Sequence, residues 1–225
     1  MDILDGNSWV VWFALGFFAL IGFIVSNVRS RRDVLEELAA KYRFAFSEAD
    51  PFDIPQRYAG FIMLNQADRG HAYNVMHGTH NHHAIKAFDY NYKTGYRVYD
   101  LSAVIFDVDG NFKSVLIYPK DLEFADIPPR TLERVSFESA AFNKAFYVYA
   151  ENQRSAYDIM TPHMMEFLLN HDDWAVQLYQ SAVIVTGSKD LTLSPDDFDD
   201  AIKFGEAFLK LVPPYVWEEG AKVSS

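Results

Sequence analysis

Two carboxylates and a histidine cluster are the residues whose types and spacing could do chemistry. The stretch VIFDVDGNF, residues 104–112, ends an apolar run in Asp107-x-Asp109-Gly110. In such a pair one Asp can attack phosphorus beside magnesium while the other handles the proton. The stretch HGTHNHH, residues 77–83, holds four histidines, and His77, His80 and His82 could ligate zinc. A third grouping, Tyr90, Tyr92, Tyr96 and Tyr99, could stack on a ligand or pair across two strands.

Each reading depends on the element that carries it. The Asp-x-Asp motif is similar to that of haloacid-dehalogenase-type phosphatases, where it must end a parallel strand that leads toward a helix near the start of a βαβα domain. VIVTGS (183–188), Lys189 and the Asp196-Asp197 pair imitate the remaining motifs. The surroundings do not fit. Strand-like runs precede Asp107, FKSVLIY follows directly, and Asn111 stands where Thr is usual. Asp109-Gly110 between two apolar runs is the strongest short hairpin signal, so the favoured expectation is a turn there, with no catalytic residue. Catalysis by Asp107 and Asp109 is the alternative. An EF-hand is weaker still, since Gly110 falls one position early and no Glu closes a twelve-residue loop. Gly78, Thr79 and Asn81 read as turn formers, which leaves the histidines on a solvated loop and no metal or cofactor expected.

Composition narrows the classes further. The absence of cysteine excludes disulfides, thiolate nucleophiles and Cys-based metal sites. A net charge of −11, of which −9 remains on residues 29–225 once Asp2 and Asp5 are set aside, repels phosphate backbones and argues against nucleic-acid binding.

From Gly6 to Val28 the chain runs 23 residues without a charge. As a helix it would cover roughly 34 Å, enough to cross a hydrocarbon core of about 30 Å. Asp2 and Asp5 precede it; Arg29, Arg31 and Arg32 follow, and basic flanks stay cytoplasmic. The expectation is a retained transmembrane anchor over residues 1–29 and one cytoplasmic domain over 30–225. Gly22 and Ser26 form a small-xxx-small pair through which two spans could make a homodimer.

The remainder alternates short strands with turn signals: 60–64, 72–76, 84–92, 96–106, 112–118, 134–139, 142–150, and a pair within 174–187. Connections this short predict antiparallel neighbours. Ser30 with Asp33, Thr161 with Pro162, and Ser194 with Pro195 and Asp197 open helices. The fold class is therefore α+β: an N-terminal transmembrane helix, then a mostly antiparallel sheet with two or three packing helices.

The single span with its basic exit, the AFDYNY segment after a His-containing turn, FNKAFYVYAENQRSAYDIMTPHMMEFLL and the closing LVPPYVWEEG together resemble a family of uncharacterised single-pass membrane proteins common in actinobacteria. The resemblance implies a membrane location and a mixed α+β body and brings no assigned activity. The functional expectation is a membrane-anchored, cytoplasm-facing interaction or scaffold module that meets the bilayer through residues 6–28 and a protein partner through its body. The alternative is a magnesium-dependent, membrane-bound phosphatase-like hydrolase using Asp107 and Asp109.

Overall fold

The computed structural model describes residues 30–65, 70–94, 96–122, 131–189 and 191–217. The expected span over 6–28 lies outside the described residues. Among those described, no helix is long and apolar enough to cross a membrane.

The element order is α1 (Arg31–Tyr42), β1 (Ala45–Ala49), α2 (Ile54–Arg57), β2 (Gly70–His80), β3 (His83–Thr94), β4 (Arg97–Pro119), β5 (Glu133–Val135), α3 (Ala140–Ala145), β6 (Phe146–Ala150), α4 (Gln153–Ile159), α5 (Pro162–Leu169), β7 (Trp174–Gly187) and α6 (Pro195–Leu211). The strands form one antiparallel sheet in the order β1-β2-β3-β4-β6-β5, with β7 along the other side of β4. The α+β expectation holds. More helices pack on the sheet than the two or three expected, because 140–145 and 153–159 also coil, and Ile62–Leu64 forms a 3-10 turn where a strand was expected.

The expected reversal at Asp109-Gly110 does not occur. The segment 97–119 is one strand, and β7 pairs with it on both sides of the Asp-Gly step: Asp107 faces Ala182 and Phe112 faces Gln180. Four residues on β4 (108–111) thus lie against one on β7 (Ser181), a bulge of the larger, bent kind rather than a turn. The physical reason is occupancy. Residues 103–107 already have β3 on one flank and β7 on the other, so FKSVLIY cannot fold back onto either. The positive φ that the dipeptide seemed to promise falls across the ladder, at Gln180 (φ 50°). For the same reason 174–187 is one bent strand, not two.

Both strands change face at this level. On β4, Val104, Phe106, Val108 and Phe112 face the main core, and after the bulge the odd-numbered Val115 and Ile117 do so. On β7, Val176 and Leu178 face that core before Gln180, Val183 and Val185 after it. The register slip on one strand is matched by the slip on the other, so a single apolar face continues past the bend.

That face is covered by α1, α3, α4, α5 and α6. Phe198, Ala201, Ile202, Gly205, Phe208 and Leu209 form the buried stripe of α6, following the three- and four-residue spacing of the sequence. Ser194 and Asp197 close its capping box, so the acidic pair at 196 and 197 serves the helix N-terminus. The opposite face of the β2–β3–β4 half is covered by residues 52–64, through Ile54, Tyr58, Phe61 and Leu64.

The first turn of α1 is locked into the sheet. Arg31 donates from Nε to Asp89 Oδ2 at 2.8 Å and from Nη2 to Asp89 Oδ1 at 2.6 Å, and also reaches the Leu193 carbonyl at 2.7 Å. Asp89 is 1% exposed and accepts further bonds from Asn74 (2.9 Å) and Ser102 (2.7 Å). The asparagine can reach it because Asn74 sits in a bulge of β2 at φ 50°. Arg31 is therefore a buried-pair partner in the fold as well as a member of the basic flank.

Helix α6 meets β4 at Gly205, where an added Cβ would lie 2.2 Å from Phe106 Cε2. In an exposed helix Gly→Ala stabilises by about 1 kcal/mol. Gly205→Ala should invert that sign, with overpacking costing about 1–3 kcal/mol and lowering Tm by about 2–4 °C per kcal/mol. Thermal denaturation of the two proteins decides the sign.

Candidate functional site

The shared bend of β4 and β7 opens a cleft of about 710 Å³ lined by Arg57, His82, His83, Asp107, Asp109, Ser181 and Trp217. A smaller hollow of about 90 Å³ continues from it past Tyr58, Tyr179 and Gln180. Each wall has a local cause. Asn81 and His82 adopt φ 47° and 72° between the paired ends His80 and His83, a two-residue type I′ reversal that presents the imidazole of His82 to the cleft. Asp50 accepts from the backbone N–H of Phe52 (2.9 Å) and Ile54 (2.6 Å), and this tight turn sets α2 and hence Arg57 and Tyr58. Beyond α6, Trp217 donates to the Val212 carbonyl (3.3 Å) and meets Phe112 edge-on with ring centroids 5.0 Å apart.

At the inner wall Asp107 is held by two side chains. Its Oδ1 accepts from the Tyr58 hydroxyl at 2.5 Å and its Oδ2 from Lys86 Nζ at 2.5 Å. Lys86 is 6% exposed and also lies 5.4 Å from the centroid of Phe52 and 5.5 Å from that of Tyr58. The two ionised groups sit diagonally across the β3–β4 ladder, since Ala84 faces Asp107 and Lys86 faces Ile105. Burial, then the bond to Asp107, pushes the Tyr58 phenol well above its usual range, so it stays a donor.

This arrangement is a charge clamp that ties Asp107 of β4 to Lys86 of β3 and to Tyr58 of the covering segment. Each oxygen of Asp107 accepts one of these bonds and keeps a second lone pair, and the side chain, 27% exposed, borders the cleft. Asp109, two residues on, is exposed at the rim. The other pieces of the phosphatase reading are not assembled around it. Thr186 pairs with Ala103, already roughly 13 Å along the strand from Asp107. Lys189 lies further still and bonds Asp173 at 2.7 Å. Asp197 caps its own helix with the Ser194 N–H at 2.9 Å.

The histidines separate as well. His77 lies edge-on to Phe52 with centroids 4.7 Å apart; His80 faces Glu206 at 3.6 Å and the Tyr42 ring; His82 lines the cleft. Among the described residues no three His, Asp or Glu side chains are grouped to hold a metal ion. Gly78 and Thr79 lie in β2, so the expected loop shrinks to Asn81 and His82. Of the four tyrosines, Tyr92 and Tyr99 form a cross-strand pair, in register with rings stacked at 5.1 Å, whereas Tyr90 faces Leu101 and Tyr96 is exposed.

Sequence reasoning missed Lys86, Tyr58 and Arg57. A signal for the first was present, because Lys86, Phe88, Tyr90 and Tyr92 share one strand face, which places a lysine in line with three aromatics.

Residues 104–188 match a family described as protein of unknown function (DUF3137). No curated protein matches the chain. Among solved structures, that of the mycobacterial trehalose monomycolate transport factor A, TtfA, is similar at TM-score 0.63 and 14% identity, covering 83% of this chain and 98% of that one. At that identity the likeness is one of fold. The matched segment begins on β4 and ends just past β7, so it contains the bent strand pair and the elements between them.

Asp107→Asn should leave Lys86 charged and poorly compensated. The cost is about 2–3 kcal/mol, below the ~3–5 of a fully buried pair because the Asp107 side chain keeps 27% exposure. Adding Lys86→Met should recover most of it; additive losses in chemical denaturation would refute the clamp. The imidazole of His77 is held below its ordinary value near 6.5 by burial and then by the Lys86 charge. Its contribution to stability is therefore present above pH ~6.5 and lost as pH falls through the depressed folded value. Lys86→Met should raise the His77 titration midpoint, read by NMR.

Proposed function

We propose that the chain is a membrane-tethered interaction module and not a hydrolase. Residues 1–29 form its anchor, residues 30–225 its cytoplasm-facing domain, and the cleft beside Asp107 is where it meets a protein partner. The observation that carries this reading is the setting of Asp107: it lies in mid-strand, not at a strand end, and accepts from Lys86 and Tyr58, as a residue that holds the sheet would.

The cleft itself is suited to recognition. It offers the guanidinium of Arg57, the imidazoles of His82 and His83, the carboxylate of Asp109, the hydroxyl of Ser181 and the indole of Trp217 around one opening. Donors, an acceptor and an aromatic face at the mouth of a rigid bend suit a polar polypeptide segment better than an apolar metabolite. The 23-residue uncharged stretch supports the tether, and its Gly22 and Ser26 would let two tethers pair. The similarity in fold to a protein named as a transport factor, together with the family resemblance to single-pass membrane proteins, agrees with a role in which the chain positions other molecules at a membrane.

The test uses full-length protein. With magnesium and a generic aryl phosphate it should show no turnover, and an activity abolished by Asp107→Asn would sink the proposal. In cells, a photo-crosslinking amino acid at Ser181 should trap one discrete neighbour in the membrane fraction. Arg57→Glu should lose that product, and a product equally strong in that variant would remove the cleft from the reading.

A further inference from the structure

We infer that the tip of the β3–β4 hairpin is a second membrane contact, seated in the headgroup layer of an anionic bilayer beside the tether. The inference rests on the tether proposed above and adds a lipid-binding site made of Lys93, Tyr96, Arg97 and Val98.

The direction of α1 puts the hairpin there. Helix α1 begins where Arg31 reaches Asp89 and ends where Tyr42 lies edge-on to His80, whose strand partner is His83. It therefore runs back along β3 from the level of residue 89 to that of 83. The lengths agree: twelve helical residues cover roughly 18 Å and six strand residues roughly 20 Å. The chain before Arg31 consequently enters from the end toward which β3 continues.

Beyond the Asp89–Ser102 pair the hairpin extends through five more, Tyr90–Leu101, Asn91–Asp100, Tyr92–Tyr99, Lys93–Val98 and Thr94–Arg97. That is roughly 17 Å past the level of Arg31. Only residues 29 and 30 separate the uncharged stretch from α1, and two residues reach at most roughly 7 Å. A headgroup layer is roughly 5–7 Å thick on each side. With so short a connection, a hairpin that runs toward the bilayer outreaches the gap, and in the proposed arrangement its tip meets the bilayer surface.

The chemistry of the tip matches that position. Tyr96 is 103% exposed and Val98 58%, an aromatic and an aliphatic side chain with no core to enter. Lys93 and Arg97 are exposed beside them. No acidic residue lies between Tyr90 and Tyr99, in a chain of net charge −11. Interfacial tyrosine with flanking basic residues is the composition that settles at a headgroup layer and favours anionic lipid. The stacked Tyr92–Tyr99 pair just behind stiffens the ribbon.

The chain has no cysteine, so single cysteines report position cleanly. Full-length protein bearing a nitroxide at Tyr96→Cys, Lys113→Cys or Leu20→Cys would be placed in nanodiscs of phosphatidylcholine with phosphatidylglycerol, and collision with oxygen compared with a water-soluble nickel chelate. The expected result is oxygen-favoured relaxation deep at 20, an interfacial value at 96 and a water-like value at 113. Lys93→Glu with Arg97→Glu should return position 96 toward the value at 113. A water-like 96 beside a lipid-embedded 20 overturns the hairpin contact and leaves the tether standing. A water-like 20 overturns the tether, and with it this inference.

Discussion

The structure depends on two long strands that bend together. If β4 alone bulged at 107–112, its apolar residues beyond Phe112 would turn to the wrong side of the sheet, because the side-chain period is two and any odd slip exchanges the faces. Gln180 at φ 50° makes the matching slip on β7, so Leu178 and Val115 face the same core as Val183 and Val104. The sheet can thus bend without interrupting its hydrophobic layer. The cleft lies at this bend, bordered by Asp107 and Asp109 of β4 and Ser181 of β7.

Two part-buried ion pairs bracket β3, one on each face. Arg31 with Asp89 lies on the helix-covered side; Lys86 with Asp107 lies under Tyr58 and Phe52 on the other. Pairs of this kind repay little in net stability once desolvation is counted, but their loss on one side is costly. Their value is in register. A one-residue slip of β3 would bring Lys86 toward the main core and Asp89 away from Arg31, leaving two charges without partners. The hydrogen bonds from Ser102 and Asn74 complete the solvation of Asp89, and no buried polar side-chain atom among the described residues lacks a partner.

The Asp107 motif lies within this scaffold, in a setting unlike that of a phosphoryl-transfer site. Asp in an Asp-x-Asp-Gly run is competent for phosphoryl transfer only if the fold holds it at a strand end with an open face and a metal beside it. In mid-strand, next to a lysine on the neighbouring strand and a tyrosine from a covering segment, the same carboxylate is a counter-ion. The histidines follow the same logic: three residues close in sequence are carried apart by strand alternation and a tight reversal, each to a different neighbour.

The sequence by itself determined what depends on near neighbours. The caps at Ser30, Thr161 and Ser194, the stripe of α6, the antiparallel pairing of consecutive strands and the facing tyrosines at 92 and 99 all follow from interactions within a few residues or across one short hairpin. Tertiary structure decided what depends on which partner is available. The Asp109-Gly110 step became a bulge because both flanks of 103–107 were occupied, and the two runs of β7 joined because one strand had to line both halves of β4. Likewise Phe146–Ala150 kept its strand beside β4 while Ala140–Ala145 coiled against the helical layer, although both belong to one apolar run. Turn propensity is worth about a kcal/mol, and the alternative placements of an entire strand differ by many buried side chains, so the larger quantity set the path of the chain.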